Sequence, residues 1–237
     1  GVSSAASDVY KRQVPALPEL FLAGVIMLLL MFGVFQKGGT SDNDEATFRI
    51  VSMLSIVTLI LAVFLLIPLA GPRSVTFADM FVTDNFAVFC KALVLISAAL
   101  GILMSRDFME RHHVARFEFP ILVVFAALGM LLMISANDLV SLYVGLEMQS
   151  LSLYVLASIQ RDDSRATEAG LKYFVLGAVA SGLLLYGSSL VYGFAGTTNF
   201  DALAGLFSAG GDVSTGLLIG IVFIMAGLSF KISAVPF

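Results

Sequence analysis

The stretch LVSLYVGLEMQSLSLYVLASI, residues 139–159, decides how the rest of the chain is interpreted. It is long enough to cross a bilayer as a helix, which takes about 20 residues at a rise of about 1.5 Å each. Glu147 nevertheless lies near its middle. A charge at the bilayer centre costs about 2.5 to 3.5 kcal/mol on insertion scales, so such a residue is usually retained for a function or a partner. The alternative is a protonated, hydrogen-bonded packing residue.

The composition of the whole chain indicates whether it folds in water or in a membrane. Hydrophobic residues make up 59% of the 237 positions and charged residues only 13%, with a mean hydropathy of +0.98, whereas soluble domains carry about a quarter charged residues. The sequence therefore predicts an integral membrane protein. The charged residues lie mostly in the polar segments between the apolar runs, so the net charge of −4 does not indicate nucleic-acid binding.

Cofactor motifs are missing from the sequence. The single cysteine, Cys90, lies within an apolar run and cannot form an intrachain disulfide. The chain contains no GxGxxG, P-loop, HExxH or CxxC pattern. We therefore expect this chain itself to hold no nucleotide, metal or iron–sulfur centre.

Long apolar runs alternate with short polar breaks, which is typical of a polytopic all-α bundle. Residues 1–13 are polar and small, and we expect a non-native or disordered tail there, before a transmembrane domain over residues 14–237. Seven spans are predicted, at residues 17–35, 50–70, 85–105, 119–136, 139–159, 168–193 and 215–237.

Basic residues between the spans predict the orientation. Those after spans one, three and five are Lys37, Arg49, Arg106, Arg111, Arg116, Arg161 and Arg165, whereas those after spans two, four and six include only Arg73. Because cytoplasmic loops carry an excess of Lys and Arg, the odd-numbered loops are predicted to be cytoplasmic and the N-terminus to lie outside.

Other charges within the predicted spans differ in how easily they reach water. Lys172 lies about one turn inside span six, so either a functional position or snorkelling to the interface fits it. Lys91 is expected to snorkel to the outer surface, and Glu19 is expected to be interfacial.

Lys231 is the sharper signal, because it lies deep in the last apolar run and Pro236 follows it. Proline removes a helical hydrogen bond and crowds the preceding turn, so the helix should kink or break beside the lysine. Freed carbonyls inside a membrane are tolerated where they line water or a bound ion. The alternative is an ordinary kinked span whose lysine reaches the cytoplasmic side.

Glu147, Lys172 and Lys231 together place one carboxylate and two ammonium groups on three consecutive predicted helices. Burial makes a lysine release its proton more easily, and a nearby carboxylate holds the proton on it. These residues therefore predict a proton relay, in which Glu147 sets the proton affinity of a lysine.

Three runs carry a family resemblance: LEMQSLSLYVLAS with Glu147, EAGLKYFVLGAVASGLLLYGSSLVYGF with Lys172, and GLSFKISAVPF with Lys231 and Pro236. In this order and spacing they resemble the subunit N family of proton-pumping NADH:quinone oxidoreductase, respiratory complex I. The resemblance extends over about residues 14–237. It implies an antiporter-like subunit of about fourteen helices with two inverted repeats and broken helices near the membrane midplane.

The resemblance also implies roles and partners. The residues matching Glu147 and Lys231 form an electrostatic pair, and the lysine matching Lys172 joins the same half-channel. NADH, flavin, iron–sulfur clusters and quinone are bound by other subunits, and the neighbours are other membrane subunits in a bacterial inner membrane. The sequence stops at Phe237, before the expected second repeat, so we expect a truncated domain of about seven helices.

Two alternatives remain open from the residues. A subunit of a multisubunit cation/proton antiporter uses similar Glu and Lys chemistry on a similar fold. A non-transporting membrane scaffold would instead use buried charges only to fix how its helices pack.

Overall fold

The computed structural model describes residues 13–36, 41–112, 114–208 and 214–234. The predicted tail up to residue 12, Lys37 and Pro236 lie outside these residues. The helices are α1 Leu17–Gln36, α2 Ser41–Leu66, α3 Asn85–Arg111, α4 Glu118–Ile134, α5 Leu139–Ala157, α6 Ser164–Ala195, α7 Phe200–Ser208 and α8 Thr215–Lys231.

An apolar helix occupies each of the seven predicted span positions, and the all-α fold class is confirmed. Five of these helices are long and apolar enough to cross a membrane, whereas α4 and α8 have only 17 residues each. At about 1.5 Å per residue, those two lie at the lower limit for a span. The short helix α7, which precedes α8, was not predicted.

Short polar side chains begin several of the helices. Asp84, Asp138, Asp163 and Ser214 each accept a hydrogen bond from a backbone N–H in the first turn of α3, α5, α6 and α8, respectively. These caps satisfy backbone donors that have no partner within the helix. These four helices therefore begin at polar residues that lie in the breaks between the apolar runs.

Two groups of helices build the bundle. Helices α1 to α4 share one hydrophobic core, whose fully buried side chains include Leu22, Leu59, Leu95 and Val124. Helices α5, α6 and α8 form the second group, joined to the first where α4 packs closely on α5. A Cβ at Gly145 in α5 would lie 2.8 Å from the backbone nitrogen of Met133 in α4, so only glycine permits this approach.

A small antiparallel hairpin interrupts the helices between α2 and α3. Strands β1 Ser74–Thr76 and β2 Phe81–Thr83 pair with each other, and the backbone N–H of Val82 donates to the carbonyl of Ser135 after α4. The hairpin, the start of α5 and the residues before α7 thus meet at one end of the bundle.

Candidate intramembrane ion-pair site

Glu147 and Lys231 face each other between α5 and α8. The Nζ atom of Lys231 lies 3.7 Å from Oε1 of Glu147, and the side chains of Lys231 and Glu147 are only 13% and 23% exposed, respectively. Both helices consist mainly of apolar residues. A carboxylate and an ammonium at this distance compensate each other in a medium where either charge by itself would be costly.

Two hydroxyl groups on α5 hold the ammonium of Lys231. Its Nζ donates to Ser150 Oγ at 2.7 Å and to Tyr154 Oη at 3.1 Å. Glu147, Ser150 and Tyr154 are spaced by three and four residues and therefore share one face of α5. This face presents an acidic group and two hydroxyls to a single lysine.

Packing around Tyr154 fixes the position of its hydroxyl. Its ring is nearly perpendicular to that of Tyr173 on α6, with the ring centroids 4.7 Å apart, and a Cβ at Gly177 would overlap its hydroxyl. The glycine therefore leaves the space in which the tyrosine reaches Lys231. Edge-to-face aromatic pairs of this kind favour one ring orientation.

The carboxylate of Glu147 is held from the third helix of the group. Ser181 on α6 donates a hydrogen bond from Oγ to Oε1 of Glu147. Ser181 itself is buried, at 5% exposure. The site is therefore assembled from α5, α6 and α8.

Helix α8 ends at the lysine itself. Ser233 adopts a left-handed φ of 55°, its N–H donates to the carbonyl of Phe230, and the N–H of Ala234 donates to that of Ser229. These two bonds form a Schellman motif, which terminates a helix and satisfies some of its last carbonyls. Lys231 thus occupies the C-terminal turn, where the helix dipole favours a cation.

Lys172 does not join this pair in the structure. Its Nζ atom lies 2.5 Å from Oε1 of Glu168, one turn earlier on α6, and the side chain is 70% exposed. Of the two predicted lysines, Lys231 is the one that the fold brings to Glu147.

Lys91 and Glu19 correct two further expectations, because neither side chain is exposed at the surface of the bundle. They form a 2.5 Å ion pair between α3 and α1, and their side chains are 0% and 4% exposed. The prediction that Lys91 reaches the outer surface is wrong because its side chain faces the bundle core. Glu19 on the neighbouring helix supplies the counter-charge there.

Sequence reasoning missed Ser181 and Tyr154 as contacts of the two charged groups. Tyr154 could have been found from its spacing of seven residues from Glu147, which returns to the same helix face. Ser181 lies among several small residues of α6, and no local pattern distinguishes it. Among the described residues there is no group of three or more His, Cys, Asp or Glu side chains able to hold a metal ion.

Together, the fold and this site define a multi-pass helical membrane protein with an ion pair inside its apolar bundle. The NADH:quinone oxidoreductase/Mrp antiporter transmembrane family matches residues 136–237, which include α5, α6 and α8. The chain is 55% identical over 228 residues to subunit N of NADH-quinone oxidoreductase from Paramagnetospirillum magneticum. It is 56% identical over 225 residues to subunit N from Rhodospirillum rubrum.

Each alignment covers 94% of this chain and 45% of the relative, so the chain spans less than half the length of these proteins. Among solved structures, respiratory complex I from Thermus thermophilus contains a chain with 28% identity and a TM-score of 0.74, covering 93% of this chain and 45% of that one. A chain of the Mrp complex from Dietzia has a TM-score of 0.65 at 23% identity, covering 94% and 42%, which shows a shared fold. Over 94% of its length, this chain is therefore similar to subunit N of NADH-quinone oxidoreductase.

Proposed function

We propose that this chain is part of a proton-translocating subunit of NADH:quinone oxidoreductase, in which Glu147 and Lys231 carry the transferred proton. The single observation that supports this most strongly is the 3.7 Å pair between α5 and α8, held by hydroxyl groups within an apolar bundle. Intramembrane ionisable residues that face the bundle interior and pair with one another commonly mark proton pathways.

The pair works by electrostatic coupling. When the carboxylate lies against the ammonium, it stabilises the proton on Lys231, and when the two groups separate, the lysine releases that proton more readily. The termination of α8 beside Lys231 lets a small backbone movement change this separation. Lys172 is a further proton carrier in the proposal, and its ammonium must leave Glu168 before it takes part.

The parent assembly supplies the energy. By similarity to the subunit N relatives, we propose that the neighbours are other membrane subunits of complex I. In this proposal, NADH, flavin, iron–sulfur clusters and quinone are bound by other subunits. The membrane is the bacterial inner membrane. We place the N-terminus outside, because the segments after spans one, three and five carry most of the Lys and Arg residues between spans.

The test is Glu147→Gln within the intact complex in native membranes. We expect NADH-driven proton translocation and NADH:quinone activity to fall together, while the amount of assembled complex is retained. Glu110→Gln is the matched control, because Glu110 pairs with Arg49 near the end of α3 and lies outside the site. Unchanged translocation in assembled Glu147→Gln complex would refute the proposal and favour a scaffold role.

The cation/proton antiporter alternative gives a different result with the same variant. An antiporter would drive sodium or potassium exchange that Glu147→Gln abolishes, without dependence on NADH. The high identity to subunit N relatives favours the oxidoreductase.

A further inference from the structure

The two charges of the site are neighbours, but they are not directly hydrogen-bonded. A direct bond between an ammonium and a carboxylate is about 2.7 to 2.9 Å long, whereas Nζ of Lys231 lies 3.7 Å from Oε1 of Glu147. Each charge is instead bonded to a hydroxyl. Ser150 and Tyr154 accept from the lysine, and Ser181 donates to the carboxylate.

Other buried serines on the same two helices behave differently. Ser152 on α5 donates to the carbonyl of Met148, and Ser188 on α6 donates to that of Leu184, each one turn back in its own helix. This is the usual bond of a serine within a helix. Ser150 and Ser181 are equally buried, at 5% exposure each, but their hydroxyls contact a charge on another helix.

We propose that Ser181 and Ser150 are positioning residues of this pair: Ser181 holds the Glu147 carboxylate back from Lys231 by binding it to α6, and Ser150 stabilises the charged ammonium of Lys231 where it lies against α5. This inference rests on the proposed function of the pair. Ser181 therefore competes with Lys231 for the carboxylate, whereas Ser150 supplies the shortest hydrogen bond to the ammonium.

The two serines therefore have opposite effects on how tightly Lys231 keeps its proton. Without the Ser181 hydroxyl, the carboxylate is free to close on the ammonium, and a closer opposite charge favours the charged form of the lysine. Without the Ser150 hydroxyl, the ammonium loses its shortest hydrogen bond, which disfavours the charged form. A serine that only fills space would change neither.

The experiment measures the pH dependence of NADH-driven proton translocation in membranes that carry the intact complex with Ser181→Ala or Ser150→Ala in this subunit. We expect the alkaline limb of the profile to move up in Ser181→Ala and down in Ser150→Ala, each by about half a pH unit or more. Ser188→Ala and Ser152→Ala are the matched controls, and their profiles should coincide with that of the unsubstituted complex.

Two variants keep the test decisive. If Ser181→Ala assembles poorly, Ser181→Cys retains the size of the side chain but replaces the hydroxyl with a weak donor, so its limb should also move up. Glu147→Gln in the same series separates this inference from the proposed function. Suppose that Glu147→Gln abolishes translocation. If the alkaline limbs of the two serine variants then stay unmoved, or move in the same direction, the positioning role is overturned and the proposed function stands. Normal translocation in Glu147→Gln overturns both.

Discussion

Glu19 and Lys91 form a 2.5 Å ion pair between the start of α1 and the second turn of α3, with both side chains almost fully removed from solvent. The ammonium also lies 4.8 Å from the centre of the Phe81 ring on β2. The hairpin therefore covers a pair of charges that neither helix could bury by itself. Two charges removed from water in this way depend on each other much more than a surface pair does.

Replacing one member of this pair should be worse than replacing both. We expect Lys91→Met to lower the free energy of unfolding by about 3 to 5 kcal/mol, because it leaves the Glu19 carboxylate buried without its counter-charge. The double variant Glu19→Leu/Lys91→Met should recover most of this loss, since two apolar side chains need no compensation. Thermal unfolding of the detergent-solubilised protein measures the difference, and a double variant as unstable as the single one would contradict the account.

The ion pair that joins the start of the hairpin to α7 should weaken in acid and at high salt. Arg73 donates two hydrogen bonds to Asp201 in α7, and these bonds, with a further one from Asn137, hold the pKa of Asp201 below its usual value. A carboxyl group whose pKa is lowered in the folded state stabilises that state at pH values above the usual carboxyl pKa. This stabilisation is lost as the pH falls through the lowered pKa.

At neutral pH, Asp201→Asn should therefore speed amide hydrogen exchange in residues 74–83, and the same loss should appear in the unsubstituted protein only in strong acid. High salt should reduce the difference between the two proteins, because the pair is exposed and screened. Asp162→Asn, which changes a fully exposed carboxylate near Arg116, is the control and should leave exchange in the hairpin unchanged.

Helix α5 should tolerate no side chain at its closest approach to α4. Gly145→Ala would place a Cβ 2.8 Å from Met133 N and 3.0 Å from Gly129 O, so the helices must separate. We expect a loss of about 1 to 3 kcal/mol in stability, seen as a lower unfolding temperature. Gly101→Ala in α3, where nothing lies within 4 Å, is the control and should be neutral or stabilising by up to about 1 kcal/mol through helix propensity.

The two lysines of the predicted relay should differ in effect. Lys231→Met removes the ammonium that faces Glu147, and we expect it to abolish proton translocation in the intact complex. Lys172→Met removes an exposed ammonium paired only one turn along its own helix, a pairing worth about 0.2 to 0.5 kcal/mol to the helix. Because Lys172 is a proton carrier in the proposed pathway but does not face Glu147, we expect translocation to fall only in part. Equal loss in both variants would show that Lys172 reaches the pair during turnover.

Local features of the sequence predicted the helices well. Hydropathy and the polar breaks located all seven apolar helices, because burial of about 20 apolar residues is a property of each segment by itself. The boundaries were less accurate: α2 begins at Ser41 rather than near residue 50, and α8 ends at Lys231. The amphipathic helix α7 and the hairpin were missed, since each is short and stabilised by contacts with distant residues such as Asn137 and Ser135.

The sequence by itself determined that the protein is a helical membrane protein and that Glu147 and Lys231 lie within apolar segments, because both conclusions depend only on residues near each other in the chain. Only the tertiary structure decided which charges meet. Glu147 contacts Lys231 and Ser181, while Lys91 contacts Glu19, because the rotation and depth of each helix are set by packing at glycines such as Gly145 and Gly177. That packing determines which carboxylate faces a given cation, and the local hydropathy of either helix does not predict it.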